Sequence, residues 1–340
     1  MVWSHGRVTR HLAAVVCALL VVAACSSSGD DAASTTSAPR ASTTSTAPTT
    51  TAAPTTTTTA VPWPALSVAG PGAVVTPNGV VLAVHRAVGD GSFVATSPCG
   101  NEVTVTGTPL SGATVVLDPG HGGGETGAVG PGGTQEKVVN LAVAQAAKAR
   151  LEALGATVVL TRTGDYRITL ASRAAIAQAL HPTLFVSIHH NAEPDGPRPA
   201  GPGSETYFQI GVDASHRAAG LVYEEVTRAL AAYPVAWAGD TDAGAKYRPA
   251  SDGGDYYGIL RRTHGIPAVL SEAAFITNPP EEALLRDPAV QQAEGTAIAT
   301  AALRFATTAD PGSGFVEPYP RTAPAGNGGG PNGCVDPPLG

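Results

Sequence analysis

The fold of this chain is decided by the stretch Thr114-Val115-Val116-Leu117-Asp118-Pro119-Gly120-His121-Gly122-Gly123. Its first half is β-branched and apolar, which is typical of a buried strand, and its second half is a glycine-rich loop. His121 therefore stands where a strand ends and a loop begins. In an open α/β sheet, ligands bind at the carboxyl ends of the strands, so this position suits a functional histidine.

Two other segments place potential metal ligands in matching positions. Glu136 opens a helical pattern of apolar residues that ends at Gly155, and His189 follows the apolar run 183–188. One helix start and two strand ends fall on the same edge of such a sheet, so we expect His121, Glu136 and His189 to converge. Two imidazoles and one carboxylate leave one position open on a tetrahedral Zn²⁺, as in catalytic zinc sites.

Four segments, 115–123, 136–144, 187–192 and 270–278, resemble the signature blocks of one enzyme family in their order and spacing. The family is that of the zinc-dependent N-acetylmuramoyl-L-alanine amidases (Amidase_3) of bacterial cell walls, and the resemblance covers roughly residues 112–307. It implies hydrolysis of the amide that joins the lactyl group of N-acetylmuramic acid to the L-alanine of the stem peptide. Peptidoglycan would then be the partner, and one Zn²⁺ per chain the cofactor.

The resemblance also implies the role of each site residue. The metal ligands fall on His121, Glu136 and His189, and the catalytic carboxylate falls on Glu272, after the apolar run 266–270. Glu272 would take a proton from the attacking water and pass it to the departing amine.

Two positions depart from the family's pattern: His190 stands where a small residue is usual, and Ala273-Ala274 replaces a leucine-glycine pair. Neighbouring side chains of an extended strand point to opposite faces, so only one of two adjacent histidines can bind the metal. The resemblance favours His189.

A dinucleotide-binding pattern, G-x-G-x-x-G, is also present in residues 122–127. In that fold the glycines lead straight into the helix, whereas here residues 130–133 intervene, and no acidic residue ends the next apolar run, 157–160. We therefore expect the glycines to let the backbone pass close to metal and substrate. No G-x-S-x-G motif is present, so a serine hydrolase has no support.

Three further residues near these blocks are expected to support the site. Asp118 either orients a ligand histidine or caps the loop, and these two roles stay open. Arg162 and Arg173 are expected to be structural. Ordinary core or surface roles are expected for the histidines His85, His181, His216 and His264.

The N-terminus predicts export and lipidation. Arg7 and Arg10 precede an uncharged run, 12–24, which is too short to span a membrane but has the length of a signal peptide. The run ends in Val22-Ala23-Ala24-Cys25, which resembles a bacterial lipobox, so Cys25 is the expected lipidation site. A lipid on Cys25 would hold the chain on the outer face of the cytoplasmic membrane, in the cell envelope. A plain secretory signal is the alternative.

We expect an α/β fold: an open, mostly parallel twisted sheet with helices on both faces and a small N-terminal β-rich appendage. The expected divisions of the chain are a signal peptide (1–25), a disordered Thr/Ser/Ala/Pro linker (26–65), the appendage (66–111), the catalytic domain (112–308) and an irregular Pro/Gly-rich tail (309–340).

Cysteine count and charge add two expectations. Cys17 leaves with the signal peptide and Cys25 is lipidated, so Cys99 and Cys334 remain as a candidate disulfide outside the cytoplasm. Without Arg7 and Arg10 the chain has 18 basic and 27 acidic residues, and this net charge of −9 makes nucleic acid an unexpected partner.

We expect a monomer. Two other functions stay open: a catalytically weak wall-binding regulator on the same fold, and another zinc amidohydrolase or peptidase.

Overall fold

A computed structural model describes five segments of the chain, all within the unit Thr57–Gly340: residues 63–64, 70–192, 201–239, 243–318 and 328–340. The predicted signal peptide, its lipidation site Cys25 and nearly all of the predicted linker lie outside the described residues, so these stay predictions. Within the described segments no helix has the length and apolar character needed to cross a membrane.

The described residues form two sheets and six helices. The strands are β1 (Ala73–Val75), β2 (Val81–Ala87), β3 (Phe93–Thr96), β4 (Glu102–Val105), β5 (Thr108–Leu110), β6 (Val115–Pro119), β7 (Val158–Leu160), β8 (Leu184–Asn191), β9 (Glu205–Phe208), β10 (Gly244–Lys246) and β11 (Ala268–Phe275). The helices are α1 (Glu136–Ala153), α2 (Leu170–Leu180), α3 (Asp213–Leu230), α4 (Gly258–Arg262), α5 (Pro279–Leu285) and α6 (Pro288–Thr307).

The larger sheet has six strands in the order β10-β9-β11-β8-β6-β7. Every neighbouring pair is parallel except β9 and β11, which run antiparallel. Helices α1, α3 and α6 cover one face, and α2 and α4 cover the other. The predicted α/β fold, an open and mostly parallel sheet with helices on both faces, is confirmed.

Burial on both faces explains the unbroken apolar runs of the central strands. In β6, Val115 and Leu117 pack against the helices of one face, whereas Val116 packs against those of the other. All three side chains are buried. The parallel strands therefore end together at one edge, where the loop after β6 and the start of α1 meet.

The smaller sheet is antiparallel, with its five strands in the order β4-β3-β2-β1-β5. Its Ala73, Val81 and Ala83 share a buried cluster with Ile176 and Leu180 of α2. The sheet thus packs against α2, and its strands lie in the segment where the sequence predicted a β-rich appendage.

Residues 328–340, named here the C-terminal strap, contain neither helix nor strand. A disulfide joins Cys334 of the strap to Cys99, with the two Cα atoms 5.5 Å apart. Two residues further on, the Asp336 carboxylate accepts hydrogen bonds from Ser97 Oγ (2.8 Å), Cys99 N (2.8 Å) and Asn101 Nδ2 (2.9 Å). The strap is therefore fixed to the turn between β3 and β4 by one covalent bond and one carboxylate with three donors.

The disulfide should stabilise the fold by closing a very long loop. Cys99 and Cys334 are 235 residues apart, and removing such a cross-link typically costs about 2–4 kcal/mol. We expect Cys334→Ser to lower the free energy of unfolding in urea by that amount, whereas the control Ser313→Ala, at an exposed site, should leave it unchanged. Two free thiols in freshly purified, non-reduced protein that begins after Cys25 would contradict the pairing.

Candidate metal centre and active site

Three predicted ligands meet at the carboxyl edge of the larger sheet. His121 follows β6, Glu136 is the first residue of α1, and His189 lies near the end of β8. His121 Nε2 is 3.2 Å from Glu136 Oε2, and His189 Nδ1 is 2.9 Å from Glu136 Oε1. One ligand atom from each residue lies within 4.8 Å of the others, a spacing that one metal ion can bridge.

Glu136 is buried, and backbone and amide donors fix both of its carboxylate oxygens. Oε2 accepts a hydrogen bond from Ala128 N (2.8 Å), because the loop before α1 folds back on the helix start. Oε1 accepts from Asn140 Nδ2 (3.1 Å) and from His190 N (3.1 Å). The carboxylate is thus held in one orientation, as a metal ligand requires.

The protonation of this cluster suits metal binding. Burial alone would raise the pKa of Glu136, but the hydrogen bonds and charges of His121 and His189 outweigh it and hold the pKa well below its ordinary value. Burial lowers the pKa of His189. An ionised carboxylate beside a neutral imidazole is the form in which both residues coordinate metal.

The structure separates the two adjacent histidines. His189 joins the cluster, whereas His190 points to the opposite face and is buried. There its Nδ1 lies 2.7 Å from Asn140 Oδ1 and its Nε2 lies 3.1 Å from Glu294 Oε2. Burial alone would lower the pKa of His190, but the Glu294 carboxylate raises it overall. His190 therefore supports the site from behind.

The backbone at His121 is held in an unusual conformation by two arginines. Its φ is 54°, in the left-handed region that residues other than glycine rarely adopt. Arg173 Nη2 donates to His121 O (2.7 Å), and Arg162 Nη2 donates to Gly120 O (3.1 Å). Both arginines bind loop carbonyls, as the expected structural role requires.

Asp118 contacts neither ligand histidine directly. Its carboxylate accepts hydrogen bonds from Thr161 Oγ1 (2.5 Å), Ser187 Oγ (2.8 Å) and Arg173 Nη1 (2.7 Å). The sequence left two roles open for Asp118: orienting a ligand histidine or capping the loop. No hydrogen bond from Asp118 to a ligand histidine is present among the described contacts. Asp118 acts on the loop through Arg173, which it orients toward the His121 carbonyl.

Glu272 lies on β11 beside His189 and pairs on its other side with Glu205 of β9. Among the described residues, its Oε2 is buried and has no hydrogen-bond partner. Burial raises the pKa of Glu272 well above its ordinary value, and the carboxylates of Glu136 and Glu205 add to this effect. A buried carboxyl group with a raised pKa and an unpartnered oxygen thus lies in the same groove as the metal-ligand cluster.

Two glycines give the cluster its space. A Cβ atom at Gly120 would collide with the ring of His189, and one at Gly127 would collide with Glu136 and His121. The convergent nitrogen and oxygen donors, together with the unpartnered oxygen of Glu272, fit a divalent metal ion. A groove of about 520 Å³ opens onto the cluster and makes it accessible to a large substrate.

Sequence reasoning missed Asn140 and Glu294, which connect the cluster to α6. Asn140 lies four residues after Glu136, on the same side of α1, and this spacing was a usable signal. Glu294 is a single acidic residue on the buried face of the otherwise apolar α6. A lone acid on a buried helix face indicates a paired partner, although not which one.

Comparison with known proteins agrees with this geometry. The family described as N-acetylmuramoyl-L-alanine amidase (Amidase_3) matches residues 115–304, more than half of the chain. The uncharacterised protein YqiI of Bacillus subtilis is 36% identical over 56% of this chain and 83% of its own length. Amidase AmiC of Neisseria meningitidis is 32% identical over 57% of this chain and 53% of its own length. Amidase AmiA of Salmonella typhimurium is 34% identical over 56% of this chain and 75% of its own length.

The chain belongs to the N-acetylmuramoyl-L-alanine amidase family. The predicted enzyme class is thereby confirmed. The chain spans about half the length of AmiC and three quarters of AmiA, and the family match lies in residues 115–304. The smaller sheet and the C-terminal strap lie outside the matched residues.

Variants of the adjacent histidines test the ligand assignment. We expect His189→Ala to lose bound metal, because it removes one of three ligands, and His190→Gln to keep about one ion per chain. His190→Gln should instead destabilise the fold, by roughly 3–5 kcal/mol, because it leaves Glu294 buried without its ionic partner. Metal content by mass spectrometry and urea unfolding measure the two effects. Retention of metal by His189→Ala would refute the assignment.

Proposed function

We propose that this chain is a zinc-dependent amidase that hydrolyses the bond between N-acetylmuramic acid and L-alanine in peptidoglycan. The observation that carries the proposal is the cluster of His121, Glu136 and His189 beside the unpartnered Oε2 of Glu272. Family membership supports the bond and the substrate. The presence of all four residues argues against a catalytically silent wall-binding protein.

His121, Glu136 and His189 would hold the zinc ion. When bound, Zn²⁺ supplies Lewis acidity to the scissile carbonyl and makes water nucleophilic near neutral pH. The carboxylate of Glu136 stays ionised there because its pKa is held low. Its hydrogen bonds to Ala128 and Asn140 keep it from turning away.

Glu272 would move the proton between nucleophile and leaving group. Its Oε2 is the free position that accepts a proton from the attacking water, and the same oxygen then donates it to the departing amine. Burial raises the pKa of Glu272, which favours the protonated carboxyl that donates to the amine, whereas the positive charge of a bound Zn²⁺ would favour the ionised carboxylate that accepts the proton from water. Without that transfer the amine would have to leave as an anion.

We also propose that the enzyme acts in the cell envelope, anchored by a lipid on Cys25. The sequence around Cys25 and the composition of residues 26–65 support this proposal. A flexible coil of that length, which the composition predicts, would span roughly 35 Å on average, at ~5–6 Å × √n, and would let the catalytic unit reach from the membrane toward the wall.

The anchor is tested by cell fractionation. We expect the native protein in the membrane fraction and Cys25→Ser outside it, because only a cysteine carries the lipid. Native protein that is free of lipid, with an N-terminus downstream of Cys25, would contradict the anchor but leave the amidase proposal intact.

Glu272→Gln tests the proposed chemistry. The amide keeps the size of the side chain but cannot take the proton, so hydrolysis of purified muropeptides should fall about 10²–10⁴-fold with bound zinc retained. Glu152→Gln, on the exposed side of α1, is the matched control and should keep full activity. Mass analysis of the products identifies which bond is cleaved. Products in which the bond between muramic acid and L-alanine is intact would contradict the proposal.

A further inference from the structure

A second cavity adjoins the groove on the other side of the metal-ligand cluster. It encloses about 270 Å³ and shares four lining residues with the groove, namely His121, His189, Tyr257 and Leu270. Groove and cavity therefore meet at the ligand histidines, so a substrate whose scissile bond lies at the metal would extend into both.

The cavity has an apolar lining and few free polar groups. Its walls include the side chains of Ile168, Leu170 and Ile259. The charged residues of its lining already have partners. Arg173 donates to Asp118 and to three backbone carbonyls, and Glu125 forms an ion pair with Arg167.

The outer wall of the cavity is formed by Gly328 and Gly329 of the C-terminal strap. The backbone N–H of Leu170 donates to Gly329 O (3.0 Å), which sets the strap against the start of α2. The disulfide from Cys334 to Cys99 fixes the strap further along. The wall is thus attached both at the cavity and beyond it.

Arg167 connects this wall to the loop that carries His121. Its guanidinium donates to Gly330 O (2.9 Å) and to Asn332 O in the strap. The same group forms an ion pair with Glu125 at 2.7 Å, and Glu125 lines the cavity. The wall therefore has a defined position relative to the metal ligands.

We propose that this cavity is the subsite for the stem peptide, and that the C-terminal strap sets which peptides it accepts. The inference rests on the proposed amidase function and deepens it. A glycan strand continues in both directions from the muramoyl residue, so it needs the open groove. The stem peptide branches from that strand at the scissile amide and begins with the methyl side chain of alanine, which fits the apolar walls of this cavity beside the ligand histidines.

Substitutions at Gly328 and Leu170 allow the cavity to be narrowed or widened without touching a metal ligand. A Cβ atom at Gly328 meets nothing within 4 Å, so the backbone leaves room for a side chain there, and Gly328→Trp adds bulk at the wall. Leu170 lines the cavity next to Gly329, so Leu170→Ala removes bulk from the wall beside the strap. Gly89 is the matched control, because it is exposed, has equal space and lies in the smaller sheet's turn between β2 and β3.

The experiment compares kcat/KM for muramoyl-L-alanine, a muramoyl tetrapeptide and a tetrasaccharide carrying that tetrapeptide, using the full zinc-loaded enzyme. We expect Gly328→Trp to lower kcat/KM at least about tenfold for both tetrapeptide substrates and less than about threefold for muramoyl-L-alanine, the scale on which pocket shape discriminates. Leu170→Ala should change the tetrapeptide to muramoyl-L-alanine ratio as well, and Gly89→Trp should change neither value.

Equal effects on all three substrates, or effects that follow glycan length, would overturn the peptide subsite. Unchanged ratios in both Gly328→Trp and Leu170→Ala would show that the strap wall does not contact substrate. Thermal unfolding and zinc content of each variant separate these outcomes from misfolding. If the wild-type enzyme cleaves none of the three substrates, the proposed function fails, and that result is distinct from failure of the subsite.

Discussion

The carboxylate of Glu136 is buried between two histidines, and the arrangement around the site depends on keeping it charged there. A buried carboxylate costs several kcal/mol unless hydrogen bonds and opposite charges compensate for it. Three backbone or amide donors and two imidazoles do so, and its place in the first turn of α1 adds the favourable helix dipole. The loop before α1 must fold back so that the backbone N–H of Ala128 can donate to the Glu136 carboxylate. The same fold of the loop brings His121 next to that carboxylate.

The same constraint gives the two faces of β8 different tasks. His189 completes the metal-ligand cluster at one face, while the buried series Glu294, His190 and Asn140 fixes Glu136 from the other. Each member of that series has its neighbour as a hydrogen-bond partner, so the position of α6 is linked to the orientation of a ligand. A helix that contributes no ligand thereby contributes to the geometry of the site.

Local patterns explain why the central strands, α1 and the ligand cluster could be predicted. Strands β6, β8 and β11 are apolar because both faces of the sheet are covered, and α1 begins at Glu136 and ends before Gly155, as its spacing indicated. The antiparallel pairing of β9 with β11 leaves no comparable local signal. The path of the strap also gives no local signal in the sequence, because the contact from Asp336 to Ser97 joins residues 239 positions apart.

The attachment of the strap has a consequence for how substrate preference is set. Leu170 and Arg167 hold it through the carbonyl oxygens of residues 329, 330 and 332, and backbone carbonyls are present whatever side chains those residues carry. These contacts do not depend on side chains of the strap, whereas Cys334, Asp336 and Gly329 fix the path of the strap through their own chemistry, and a Cβ atom at Gly329 would collide with Leu170. The cavity wall can change at Gly328, where a Cβ atom meets nothing within 4 Å. The metal ligands lie on the sheet edge and α1, outside the strap, so substrate preference at this wall is separable from the hydrolytic chemistry.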